Sequence, residues 1–409
     1  MKNLVILGAG TAGTMMANHL RPKLNKADWN ITIVDQFKTH YYQPGFLFLP
    51  FDMYTEDQVK KVGKKFIPKG VEYVQQRIEQ IFPEEKQVKL ENETLAYDLL
   101  IIATGSKIAP DEVEGMKGDG WHKNVFDFYT YEGALALRNK LREWKGGHMV
   151  VHLTEMPIKC PVAPLEFAFL ADSYFIKKGM RDKVKLTYVT PLSGAFTKEK
   201  SSAALGYLMK EKNINLEIDF AIEQVDNENK KIIDYGGREV PYDLLVTIPT
   251  NMGDEVIERS GLGDDLNFVP TDPNTLQSKE YEDIFVIGDA TNVPASKAGS
   301  VAHFEAETLT DNILLYIEGK PLKPEFDGHA NCFIETGKNK ALLIDFNYNQ
   351  EPVEGTFPIP GLGPLKLLKE SVFNHWGKLA FRWIYWNMLL KGIPIPLVSR
   401  NMSTKGKKL

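Results

Sequence analysis

Residues 4–35 constrain this chain more than any other stretch. The apolar run Leu4-Val5-Ile6-Leu7 ends in Gly8-Ala9-Gly10-Thr11-Ala12-Gly13, a helical segment continues through Ala17 and Leu20, and Ile31-Thr32-Ile33-Val34-Asp35 closes the unit. The order is strand, G-x-G-x-x-G, helix, strand, acid, and each glycine has a mechanical reason. Gly8 makes the tight turn, Gly10 lets backbone approach a pyrophosphate, and Gly13 lets the helix lie close against the sheet. The unpaired N–H groups of the helix N-terminus, around Ala9, Thr11 and Ala12, then hold the anion. Asp35, about 20 residues past the glycines, is placed to accept from ribose hydroxyls. A glycine-rich turn alone can be only a turn; the strand, helix and acid around this one point to a dinucleotide site.

A chain of 409 residues, 43% hydrophobic and 25% charged, is long enough for two domains and an appendage. Its net charge of -5 is unevenly spread, because residues 366–409 hold nine basic side chains against the single acid Glu370. The remainder is therefore strongly acidic, which argues against nucleic acid as a partner and singles out the tail. The first strand begins almost at Met1, so no secretory leader is expected and the reading is cytoplasmic. No run of about 20 apolar residues spans a bilayer. Two cysteines, Cys160 and Cys332, are expected to be free, catalytic or redox-active rather than a structural disulfide. No metal site is expected.

Further along, residues 40–51 (His40 to Phe51) crowd aromatics between turn residues, which suits a loop lining a cavity that includes Gln43, or a plain core segment. Leu99-Leu100-Ile101-Ile102 reads as a buried parallel strand ending in Ala103-Thr104-Gly105, and Ile284-Phe285-Val286-Ile287 as another ending in Gly288-Asp289. Three such strand-turn motifs in this order resemble the two-dinucleotide-binding-domain flavoprotein superfamily. The resemblance implies FAD, with Ala103, Thr104 and Gly105 packed near it and Asp289 on its ribityl or pyrophosphate portion. The fold class it implies is α/β, with two Rossmann-like dinucleotide-binding domains. The expected organisation is a flavin-binding domain from 1–108 and 240–320, a second Rossmann-like domain at 109–239, and a C-terminal region at 321–409. Tyr242-Asp243-Leu244-Leu245-Val246 repeats Tyr97-Asp98-Leu99-Leu100-Ile101, an internal echo of two related halves.

The second half differs from the first at its key turn. His148 to Leu153 reads as a strand, but residues 154–164 contain no glycine and three prolines, Pro157, Pro161 and Pro164. Side chains and stiff backbone obstruct a pyrophosphate there, so electrons are not expected from NAD(P)H. In its place stands Cys160, just before a helix expected from about Pro164. Its position allows a thiolate favoured by the helix dipole, or a small buried apolar residue.

Cys332-Phe333, Lys159-Cys160-Pro161-x-Ala163-Pro164-x-Glu166 and Gly288-Asp289 followed by Pro294 and Lys297 together resemble the sulfide:quinone oxidoreductases, with flavocytochrome c sulfide dehydrogenases as relatives. The resemblance implies that sulfide attacks an oxidised or sulfur-bridged Cys160–Cys332 pair and that two electrons pass through FAD to a membrane quinone. It implies Lys297 near the flavin pyrimidine and the quinone, Phe333 facing the quinone, and Glu166 in proton handling. His152 and His303 are weaker candidates. Some members carry a third cysteine that binds FAD covalently; residues 126–130 have none, so the FAD is expected to be non-covalent. The rival readings are a type II NADH:quinone dehydrogenase and a non-catalytic FAD-binding redox sensor.

From Leu367, apolar residues recur at Leu368, Val372, Trp376, Leu379, Trp383, Trp386 and Leu390, with Asn374, Lys378 and Arg382 as a polar stripe. The pattern predicts an amphipathic helix on a lipid surface, aided by the basic tail from Arg400, or a helix packed on the core or on a second copy. The expected location is peripheral, on the cytoplasmic face of the cell membrane, with self-association left open.

Overall fold

The computed structural model describes residues 1–408. Lys2–Leu7 is buried from Leu4 onward, as a continuous apolar run demands of a central parallel strand. It pairs in parallel with Trp29–Val34 on one side and Leu99–Ile102 on the other; Ile284–Val286 and Glu72–Val74 complete a five-stranded sheet. Trp29–Val34 flanks Lys2–Leu7 on one side and Leu99–Ile102 with Ile284–Val286 on the other, so the strand order switches at the first strand, the place where such sheets open a crevice at their carboxyl edge.

A second five-stranded parallel sheet runs Val125–Phe126, Leu244–Ile248, Gly147–Leu153, Val184–Val189, Ile214–Glu217. This corrects the boundary expected at residue 240. Leu244–Ile248 pairs with Gly147–Leu153, so the chain rejoins the flavin-side unit only afterwards, through Thr250–Gly253 against Ser106–Ala109. The internal echo extends to hydrogen bonds: Asp98 accepts from Asn3 N at 2.7 Å and donates its amide to Asn3 O at 2.8 Å, and Asp243 does the same with His148 at 2.7 and 2.8 Å. Two copies of one strand-pairing device thus open the two sheets.

A mixed four-stranded sheet follows, in the order Ala330–Gly337, Lys340–Phe346, Gly363–Leu367, Gly355–Ile359. The helix expected from Leu367 starts later, because Gly363–Leu367 is a strand. It runs Val372–Asn387, capped by the Ser371 hydroxyl, which accepts from Asn374 N at 3.0 Å. This terminal helix is oriented polar side inward: Asn374 and Lys378 are 0% and 9% exposed, against 55% for Phe373, 59% for Trp376 and 62% for Trp383. The basic tail is paired within the fold, Arg400 with Asp311 and Glu325, Lys407 with Asp345 and Lys408 with Glu354. The outward aromatics, not a free basic cluster, are therefore the distinctive surface of this region. Among the described residues no helix is long and apolar enough to cross a membrane.

Candidate active site

The first crevice is built by contacts that only glycine permits. A Cβ on Gly13 would lie 1.9 Å from Gly8 O, and one on Gly8, at φ +97°, would lie 2.5 Å from Ala103 O. These two residues lock turn, helix and the Ala103-Thr104-Gly105 strand end together. Gly10 is different: nothing lies within 4 Å of its built Cβ, and the helix Thr11–Leu20 has no side-chain cap. Open space therefore faces an uncapped helix N-terminus, the arrangement an anion needs. Gly288, at φ +71°, packs the Gly288-Asp289 turn against the helix, since a Cβ there would lie 3.1 Å from Ala12 Cβ. Asp35 is fixed beside the turn by accepting from Ala9 N at 2.7 Å and Phe37 N at 2.8 Å. The Thr104 hydroxyl is buried with no partner, and Gly105 faces open space. An orphaned hydroxyl, an uncapped helix and a carboxylate around one crevice fit a dinucleotide such as FAD.

Lys297 lies at the Gly288-Asp289 turn, buried, its ammonium donating to Asp289 O at 3.0 Å and Thr291 O at 2.6 Å over the face of Phe268 at 3.9 Å. Lys159 spans the crevice wall, donating to Gln43 Oε1 and Ser106 O, each at 3.3 Å. The family stretch containing Lys159 was the available signal for it.

The cysteines come from two sheets. After Gly147–Leu153 the chain detours through the proline-rich segment before the helix Ala163–Lys177, so Cys160 sits at the carboxyl edge of the second sheet. There its amide donates to Lys297 O at 2.7 Å, and its carbonyl accepts from Ala163 N at 2.9 Å and Tyr129 Oη at 3.2 Å. Ser300 Oγ donates to Asn331 O at 2.9 Å, and Ser296 is near enough to the Cys332 thiol to favour its ionised form. Residues 296–300 thereby join the two cysteine segments and bring the thiols within electrostatic reach of each other. Both thiols are free.

The helix dipole does not dominate at Cys160. Burial, reinforced by Glu166, pushes its thiol up to about 12 despite the opposing charge of Lys378. Burial and the neighbouring Cys160 push Cys332 up as well. Desolvation outweighs one helix end, for the half-buried Cys160 as for the buried Cys332. Of the two readings that position left open for Cys160, a dipole-favoured thiolate or a small desolvated side chain, the resting thiol follows the second.

Beside the cysteines lies a buried charge cluster that spacing alone did not reveal. Lys378 of the terminal helix reaches Glu166 at 2.7 and 3.0 Å and Phe333 O at 3.0 Å. Glu335 N donates to Glu166 Oε1 at 2.8 Å, and His375 Nδ1 is 2.9 Å from each Glu335 oxygen. Burial opposes the charge on Lys378, but Glu166 outweighs it and holds the ammonium protonated. Phe333 rests on Gly377, where a Cβ would meet its ring at 2.9 Å. His152 and His303 lie outside the cluster: His152 bonds Thr247 Oγ1 at 2.9 Å and His303 lies 3.7 Å from Glu307.

The terminal helix also reaches the flavin-side turn. Tyr385 Oη lies 2.7 Å from Thr11 Oγ1 and 2.6 Å from His40 Nε2, and His40 Nδ1 is 3.2 Å from Ala9 O. Burial pushes His40 down to about 4. The unfolded chain binds that proton below the ordinary imidazole value and the folded one does not, so acid removes stability. Urea denaturation is expected to show a loss reaching about 3 kcal/mol between pH 6.5 and 4, absent in His40→Gln.

Comparison with known proteins fits this geometry. The model of the pyridine nucleotide-disulphide oxidoreductase family matches residues 2–306. The mitochondrial sulfide:quinone oxidoreductase of Dictyostelium discoideum is 30% identical over 397 residues, covering 95% of this chain and 86% of that protein. The chain belongs to this family. The mouse mitochondrial sulfide:quinone oxidoreductase is 27% identical over 398 residues, again covering 95% of this chain and 86% of its own length. The X-ray structure of the sulfide:quinone oxidoreductase from Aquifex aeolicus superposes with a TM-score of 0.80 at 23% identity, covering 96% of this chain and 92% of that one. The cofactor of the family is FAD, and the crevice suits it.

Proposed function

We propose that this chain oxidises sulfide and passes the electrons through non-covalent FAD to a quinone at a membrane surface. The observation that supports the reading is that residues 297–300 tie the Cys160 and Cys332 segments together, with the two thiols within electrostatic reach, at the turn where a nicotinamide nucleotide would otherwise bind. Gly8 to Gly13, Asp35, Gln43, Ala103 to Gly105, Lys159 and Gly288-Asp289 are the residues that would hold FAD. Bound FAD supplies the two-electron carrier between sulfur and quinone.

Sulfide attacks one sulfur of the oxidised pair, leaving a persulfide on one cysteine and expelling the other as thiolate. Buried and beside Glu166, that thiolate is a strong electron donor, and Lys378 is the cation that makes its release feasible. Repeated attack lengthens the sulfur chain until it departs as polysulfide or sulfur. Phe333, at the contact with the terminal helix, faces the quinone, and the outward aromatics of that helix rest on lipid.

Anaerobic mixing of the air-oxidised protein with sulfide tests this directly. Flavin absorbance should bleach rapidly and recover on adding a short-chain quinone, while Cys160→Ser and Cys332→Ser lose bleaching by about 10²-fold or more and NADH bleaches none of the proteins. Mutants that bleach like the parent, or rapid bleaching by NADH, would overturn the reading.

A further inference from the structure

Reduction of a quinone needs protons as well as electrons, and the cluster under the terminal helix is built to supply them. Side chains on a strand alternate, so Phe333 and Glu335 lie on one face of Ala330–Gly337 and Cys332 and Ile334 on the other. The face that carries Phe333 is the face met by the terminal helix: Gly377 receives the Phe333 ring, and His375, two residues earlier, receives the Glu335 carboxylate at 2.9 Å to both oxygens. Glu335 is 1% exposed and His375 6%. Among the described residues nothing bonds His375 Nε2, and the side chain keeps a small exposure, so the imidazole connects a buried carboxylate to the outside of the cluster.

We infer that His375 and Glu335 form a relay that delivers a proton to the quinone at Phe333, an inference that rests on the proposed quinone site. The balance is that quinol formation takes one hydride equivalent, which bound reduced FAD would supply, and one proton, which this chain must supply. Glu335 hands over that proton, His375 replaces it, and solvent restores His375. The other groups around the pair are accounted for. Glu166 from the Cys160 helix accepts from the Glu335 amide and is bound to Lys378, whose third contact is Phe333 O; these fix the strand and exchange no proton. Arg382, one turn further along the same helix, stacks on Tyr54 at 4.4 Å, and the Tyr54 hydroxyl is buried without a partner, which leaves it free to orient a carbonyl oxygen. Cys332 faces the other way.

The relay makes a prediction that a structural role does not. Protein reduced by stoichiometric sulfide is mixed anaerobically with a short-chain quinone, and flavin reoxidation is followed across pH. Glu335→Gln and His375→Gln should slow reoxidation about 10²-fold and abolish its decline toward alkaline pH, with added imidazole partly rescuing His375→Gln. Bleaching by sulfide, and binding of the same quinone to the oxidised protein measured by tryptophan quenching, should be unchanged. His375→Gln retains a donor to Glu335 and covers the case in which Glu335→Gln does not fold. Wild-type reoxidation rates with an unaltered pH profile in the variants would overturn the relay, as would quinone binding lost in parallel with rate. A parent that is bleached by sulfide yet not reoxidised by quinone would instead overturn the quinone reading, and the relay with it.

Discussion

Lys378→Met is expected to destabilise the protein by about 3–5 kcal/mol, because it leaves the Glu166 carboxylate buried without its cation. Glu166 is fully buried, and burial already raises its pKa above the ordinary carboxylate range, with Lys378 as the main opposing charge. Without Lys378 the acid rises further and the folded state holds a proton that the unfolded chain releases. Stability of the variant should therefore fall as pH rises from about 5 to about 8, a slope opposite to that expected of His40. Urea denaturation at several pH values measures it. Glu166→Gln in the Lys378→Met background removes the charge and should restore most of the loss together with a flat pH profile; a double variant as unstable as the single one would show that lost packing, not the orphaned charge, is responsible. Lys378 also ties Phe333 O to the helix at 3.0 Å, so its loss should loosen the quinone side as well.

Gly13→Ala and Gly10→Ala should separate folding from cofactor binding. At Gly13 the new Cβ would overlap Gly8 O at 1.9 Å, and both partners are backbone, so the helix must move away from the first strand. Such overpacking costs about 1–3 kcal/mol or more, and the shifted turn no longer presents its N–H groups. Gly13→Ala is expected to yield little soluble protein and no flavin. Gly10→Ala has room, at a backbone conformation open to alanine (φ -70°, ψ -159°), so its apoprotein should melt like the parent. Its methyl group occupies the space that faces the helix N-terminus, and flavin content should fall nearly to zero. Thermal melts and the ratio of flavin to protein absorbance read both effects. Full flavin retention by Gly10→Ala would mean that the pyrophosphate does not lie against that turn.

The two turns illustrate what could be read before folding. Gly8, Gly10 and Gly13 act through contacts within one strand-turn-helix unit, so their roles follow from local order and spacing. The strands at Leu99 and Ile284 were legible for the same reason, as uninterrupted apolar runs ending in small residues. The Leu244 strand was legible as a strand but assigned to the wrong sheet, although its echo of Leu99 already carried the answer: each is preceded by an aspartate that clasps the first strand of its own sheet.

Other residues changed meaning on folding. Lys297 looked like a free cation, yet two carbonyls and an aromatic face hold it at the Gly288-Asp289 turn, while Lys159, not singled out by spacing, donates to Gln43 and Ser106. The polar stripe Asn374, Lys378, Arg382 looked like the wet face of an amphipathic helix, and Asn374 and Lys378 prove to be buried. Amphipathicity shows that a helix has two faces; which one is inward depends on what waits there, here Glu166 and the backbone carbonyls that Asn374 and Lys378 satisfy. Sequence by itself determined the nucleotide turn, the α/β class and the missing second glycine fingerprint, because these rest on short-range backbone geometry. Only the tertiary structure decided what holds Lys159 and Lys297, that desolvation pushes both thiols above their ordinary pKa, and that His375 meets Glu335. Each of those is set by desolvation and by partners tens to hundreds of residues away, and neither quantity is written in local spacing.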